Sequence, residues 1–106
     1  MSGSRTITEH EDRLDNVHPG SILREDFLIG SEIPASEVAE GSGLALDHIQ
    51  ALLSETCPID ANTDLRLARY FGMSEGFFLG LQIDYDLEEA RRSLGRQLDQ
   101  IVQRAA

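Results

Sequence analysis

Polar side chains that can read the edges of DNA bases gather in one short stretch of the sequence. Gln50 carries an amide, the group that pairs with adenine, and His48 and Ser54 offer further hydrogen-bonding groups nearby. Arg24, closer to the N-terminus, is the best candidate for a phosphate contact. Ala45 and Leu46 belong to the same stretch and complete the set. The predicted DNA-binding residues are Ala45, Leu46, His48, Gln50, Ser54 and Arg24.

A helix-turn-helix pattern between Ala35 and Leu52 would position these side chains. This motif needs a small residue where its helices cross, a glycine in the turn and apolar residues that lock the helices together. Ser42 is a mismatch, because an apolar residue is usual at its position, and an ordinary helical hairpin remains the alternative. The residues that fit the pattern are Val38, Ala39, Gly43, Leu44, Ile49 and Leu52.

Apolar residues at helical spacing predict the helices that surround this motif, and no strand. Pro19 suits the first turn of a helix that ends near Gly30. The second helix is predicted to start at Pro34, and the third to run from about Ala45 to Ser54.

Two further helices are predicted after the motif. Asp60 is placed to cap the fourth helix, which ends at Gly72, and Ser74 is placed to cap the fifth. The residues predicted to be buried on these helices are Leu65, Leu67, Ala68, Phe71, Phe77, Phe78 and Leu81.

Both ends of the chain have alternative interpretations. The acidic N-terminal arm, residues 1–16, is either a solvated end or a contact for a basic partner. An apolar stripe near the C-terminus either packs on the domain's own core or forms a helix for a partner. The stripe comprises Leu87, Ala90, Leu94, Leu98 and Ile101.

Composition narrows the class of protein. The 106 residues include 19 acidic and 9 basic ones, all of the latter arginines, and the formal net charge is −10. This charge weakens non-specific binding to nucleic acid and favours basic partners, although solubility alone also explains it.

With no apolar run that could span a membrane, no secretory signal and the single cysteine Cys57, the chain is predicted to be cytoplasmic. The histidines are not at metal-ligand spacing, so no metal site is predicted. No catalytic or cofactor site is predicted either.

The segment Val17 to Arg91 resembles the HigA-type antitoxins, a branch of the XRE-like helix-turn-helix proteins. One block that carries the resemblance is His18-Pro19-Gly20 followed by Ile22 to Leu28. The other is Leu65 to Gly72, followed by Ser74, Phe77, Phe78, Leu81, Gln82, Tyr85 and Asp86.

The resemblance implies an all-α fold, a five-helix XRE/lambda-repressor-like helix-turn-helix domain with a C-terminal helical extension. The expected division is an arm at 1–16, the domain at 17–86 and the extension at 87–106. The implied partners are a RelE-like, HigB-type ribonuclease toxin, operator DNA whose binding represses the chain's own operon, and a second copy in a homodimer.

The recognition helix departs from the family's pattern. No lysine or arginine occurs between Pro34 and Asp60, although five acidic residues do. Two interpretations therefore remain besides an antitoxin that represses its operon: a degenerate helix-turn-helix protein that acts only through protein contacts, and a stand-alone repressor.

Overall fold

A computed structural model describes residues 15–105, which form five helices and no strand. The all-α fold predicted from the sequence is confirmed, whereas the predicted arm lies outside the described residues except for its last two positions. Helix α1 comprises Pro19–Ile22 and continues as a π-helical run, Leu23–Ile29. The others are α2 (Ala35–Ser42), α3 (Leu46–Leu53), α4 (Ala61–Phe71) and α5 (Phe77–Leu94), which a 3-10 segment, Gly95–Gln100, follows.

The start of α1 follows from the sequence His18-Pro19-Gly20. The His18 Nδ1 accepts a hydrogen bond from the Gly20 N–H at 2.9 Å, and Pro19 occupies the first turn, where a missing N–H costs nothing. Gly20 lies so close to α3 that a Cβ there would stand 1.9 Å from the Leu52 carbonyl oxygen. Only glycine therefore allows this crossing of α1 and α3.

Helices α2 and α3 pack as the helix-turn-helix pattern predicts. Val38, Ile49 and Leu52 are fully buried in the core. Gly43 ends α2 at a φ of 79°, in the left-handed region that glycine adopts without strain. The mismatch at Ser42 is accommodated because this side chain is buried and its Oγ accepts a hydrogen bond from the Leu44 N–H at 3.3 Å.

Helix α4 begins and ends where predicted and buries Leu67 and Ala68 as predicted, but not Leu65. The Asp60 carboxylate accepts from the Thr63 N–H at 2.9 Å, and Gly72 ends the helix at a φ of 72°. The hydrogen bond from Thr63 is the main reason why the pKa of Asp60 is lowered. The prediction that Leu65 is buried is wrong, because this side chain is 48% exposed.

The prediction that Ser74 caps α5 is also wrong. The helix begins at Phe77, and two N–H groups at this end donate to the carboxylate of Asp64, which belongs to α4, while Ser74 accepts only through its backbone carbonyl oxygen. Asp64 is buried and accepts from the Gly76 N–H at 2.6 Å and from the Leu79 N–H at 2.8 Å. This pair of bonds fixes α5 against α4 and explains why an acid is tolerated inside the protein.

Aromatic rings fill the space between α1, α4 and α5. The Phe27 ring centroid lies 5.0 Å from that of Phe71 and 5.1 Å from that of Phe78. Phe78 is fully buried, and Phe77 stands edge-on to it at 5.1 Å. These tilted and edge-on arrangements suit the ring quadrupoles and add to the apolar burial.

The C-terminal apolar stripe does not pack on the core. Leu87, Leu94 and Leu98 are 39–50% exposed, and Ile101 is 71% exposed. The interpretation that the stripe packs on the domain's own core is therefore wrong. The residues from 15 to 105 therefore leave this stripe in contact with solvent.

The contrast between Leu65 and Leu67 gives a matched test of the fold. Leu67→Ala should lower the free energy of unfolding by about 2–5 kcal/mol, because it leaves a cavity in the core. Leu65→Ala should change it by no more than about 1 kcal/mol, since the side chain is half exposed. Chemical denaturation of both variants measures the two values, and equal losses would contradict the placement of α4.

Candidate nucleic-acid interface

The exposed face of α3 is defined by what the helix buries. Ile49 and Leu52 point into the core, so the opposite side of this short helix faces solvent. Leu46, Asp47 and Gln50 lie on that side, and we call these three residues the α3 outer face. Leu46 is 40% exposed, so it adds an apolar side chain to this otherwise polar face.

Gln50 is free to bind a ligand. Its side chain is exposed and makes no hydrogen bond to any of residues 15–105. It follows Leu46 by one helical turn, so the two side chains are neighbours on the α3 outer face. An amide beside an apolar group is therefore available to a partner that approaches α3.

His48 and Ser54 are less available than the sequence suggested. His48 is half-buried and lies two positions from Leu46, which places it on the other side of the helix. It sits near Asp60, whose lowered pKa is due chiefly to Thr63 and to a smaller extent to His48. The Ser54 hydroxyl is used locally, at 3.2 Å from the Ala51 carbonyl oxygen and 3.1 Å from the Thr56 hydroxyl.

Ala45 is exposed at the N-cap of α3, where it provides no side-chain oxygen for the first N–H groups of the helix. The capping bond that a serine would make there is absent. The predicted site thus separates into Ala45, Leu46 and Gln50, which face solvent without a side-chain bond, and the other candidates: Arg24 and Ser54 are bonded elsewhere, and His48 lies half-buried on the other side of the helix.

Arg24 is held by α3 rather than extended toward solvent. Its guanidinium donates to the Leu53 carbonyl oxygen at the end of α3 and lies 3.4 Å from a carboxylate oxygen of Glu55. Its Nε donates to Glu25 at 3.1 Å, and this bond is the main reason why the pKa of Arg24 is raised. In this arrangement Arg24 fastens α1 to the C-terminal end of the recognition helix.

The helix-turn-helix motif itself contains no basic residue. The sequence has no lysine or arginine between Arg24 and Arg66. Arg66 itself donates to the Ser42 carbonyl oxygen at 3.1 Å and to Asn62 Oδ1 at 2.9 Å, so it braces the turn of the motif. Sequence reasoning missed this role and also left Asp47 out of the site, although its spacing of three from Gln50 puts both on one face.

Between residues 15 and 105, no group of three histidine, cysteine, aspartate or glutamate side chains is arranged to hold a metal ion. None of the helices described there is long and apolar enough to cross a membrane.

Comparison with known proteins points to one group of relatives. No family model matches the sequence. A virulence-associated protein I of Dichelobacter nodosus is 33% identical over 87 residues, which are 82% of this chain and 81% of that protein.

Solved structures agree with this likeness. The antitoxin HigA of Pseudomonas aeruginosa, solved with the higBA promoter, is 29% identical and superposes with a TM-score of 0.77. The match covers 87% of this chain and 100% of the HigA chain. A HigA-family addiction module antidote protein of Coxiella burnetii is 30% identical, with a TM-score of 0.77. The match again covers 87% of this chain and 100% of the solved chain. A Pseudomonas aeruginosa protein in complex with its operator DNA is 30% identical, with a TM-score of 0.79. This match covers 86% of this chain and 100% of the solved chain.

The bonds of Arg24 predict that its removal loosens the fold. Arg24→Met keeps the apolar stem but loses the bonds to Leu53 and Glu55, and it should lower the midpoint of thermal unfolding. Glu55→Gln removes only the exposed ion pair and should have a smaller effect. If Arg24→Met melts like the unmodified protein, the proposed fastening of α1 to α3 is wrong.

Proposed function

The chain belongs to the HigA family of antitoxins, and on this premise we propose that it neutralises a RelE-like, HigB-type ribonuclease toxin and binds operator DNA as a homodimer to repress its own operon. The observation that carries the proposal is the likeness to HigA antitoxins, which extends over the full length of the solved chains. One of these relatives was solved with its promoter and another with its operator DNA.

The net charge supports a basic protein as the partner. An enzyme that binds RNA has a positive surface, and a chain of charge −10 attracts it over long distances. Electrostatic attraction of this kind mainly raises the rate of association and depends on salt. The proposal therefore assigns the acidic composition a use in toxin capture.

The exposed C-terminal stripe supports association with a second copy. Leu87, Leu94 and Leu98 leave apolar surface uncovered on α5 and the segment after it. A homodimer would present two recognition helices about one duplex turn apart, as half-sites in DNA require.

The absence of basic residues between Arg24 and Arg66 favours a second candidate function. In that alternative the motif is kept only as a scaffold, and the chain acts through protein contacts alone. Binding to DNA distinguishes the two candidates, because both would bind the toxin but only the first would bind operator DNA.

A mobility-shift titration of the full chain against the DNA upstream of its reading frame tests the repressor role. We expect a specific complex, with scrambled DNA as the control. We also expect the affinity to depend weakly on salt. A plot of log affinity against log salt concentration should be shallower than the slope of about −5 to −9 that six to ten phosphate contacts give. If the scrambled DNA is bound equally well, the chain does not recognise its operator and the repressor role is wrong. If neither DNA is bound at low salt, the scaffold-only alternative is correct.

A messenger-RNA cleavage assay tests the antitoxin role. An equimolar amount of the full chain should suppress cleavage by the product of the neighbouring reading frame, and added salt should slow complex formation because the charges are screened. An unrelated protein of similar negative charge serves as the control. Cleavage that continues at a molar excess of the chain would contradict toxin neutralisation.

A further inference from the structure

We propose that the α3 outer face reads A·T base pairs, with Gln50 on an adenine and Leu46 against the methyl group of a thymine one or two base steps away. This inference rests on the proposed binding to operator DNA and specifies which bases are read. It uses the two predicted residues that share the α3 outer face and make no side-chain bond within residues 15–105, whereas His48 is half-buried on the other side of the helix.

The spacing of the two side chains suits neighbouring base pairs. Residues separated by one helical turn have Cβ atoms about 5–6 Å apart. Base pairs stack about 3.4 Å apart, so Leu46 and Gln50 can contact different pairs without a change in the helix. Both side chains face the same side because Ile49 and Leu52 are buried on the other.

The chemistry of the two groups selects A·T pairs in the major groove. The amide of Gln50 can donate to adenine N7 and accept from the adenine amino group. Leu46, at 40% exposed, loses contact with water when it meets the thymine methyl, which is the apolar group on that groove's floor.

The surrounding charges disfavour guanine. Its major-groove edge carries only acceptors, and its usual partner is arginine. Arg24 is bonded to the Leu53 carbonyl oxygen and to Glu55, and Arg66 is bonded to Ser42 and Asn62. Asp47, the third residue of the α3 outer face, would bring a carboxylate toward the guanine acceptors and repel them.

Single-atom changes in the DNA test this assignment. In the DNA upstream of the reading frame, each thymine is replaced singly by deoxyuridine, which lacks the methyl group, and each adenine singly by 7-deaza-adenine, which lacks N7. We expect one deoxyuridine position per half-site to weaken binding of the unmodified chain about three- to five-fold, the loss expected for one buried methyl group. We expect one 7-deaza position, within two base pairs of it, to weaken binding about five-fold or more.

Protein variants then connect each base to its side chain. Leu46→Ala should abolish the sensitivity to deoxyuridine and keep the sensitivity to 7-deaza-adenine, whereas Gln50→Ala should do the reverse. Leu65→Ala, which removes a similarly exposed leucine from α4, is the matched control and should respond as the unmodified chain does.

The outcomes separate this inference from the function on which it rests. Specific binding in which neither variant loses its sensitivity, or in which no deoxyuridine or 7-deaza-adenine position weakens binding of the unmodified chain, overturns the assignment and leaves the repressor role intact. No specific binding by the unmodified chain overturns both. Loss of the paired sensitivities in the expected variants supports both.

Discussion

The burial of Ile49 and Leu52 is the constraint on which the rest of the structure depends. Helix α3 has eight residues, so it makes only about two turns, and fixing two side chains in the core fixes its rotation. The α3 outer face is exposed for that reason alone. The close approach of Gly20 to the Leu52 carbonyl and the bond from Arg24 to the Leu53 carbonyl then hold the end of α3 against α1.

Features that depend on a few neighbouring residues could be predicted from the sequence. The turn at Gly43, the cap at Asp60 and the limits of α3 follow from local backbone chemistry and from helical spacing. Features that depend on another helix could not. The cap of α5 comes from Asp64, 12 residues before Gly76, and no local pattern distinguishes this acid from an exposed one.

The same distinction explains the errors on α4 and in the site. Leu65 looked like a core residue because it is apolar, yet α4 buries Thr63 and Asp64, whose polar atoms find partners. Arg24 looked like a free cation because the backbone carbonyl of Leu53, which accepts one of its hydrogen bonds, leaves no trace in the sequence. His48 could have been placed correctly, since its position on the helix already puts it away from Leu46.

The charge distribution changes what specificity requires of this protein. Phosphate contacts strengthen binding to every DNA sequence, whereas base contacts strengthen binding to one. A motif without lysine or arginine from residue 25 to residue 65 therefore has few phosphate contacts to offer any DNA, and it also lacks the arginine that usually reads guanine. In the proposed repressor, the α3 outer face must supply most of the selectivity, and its negative surroundings limit the time spent on other sequences.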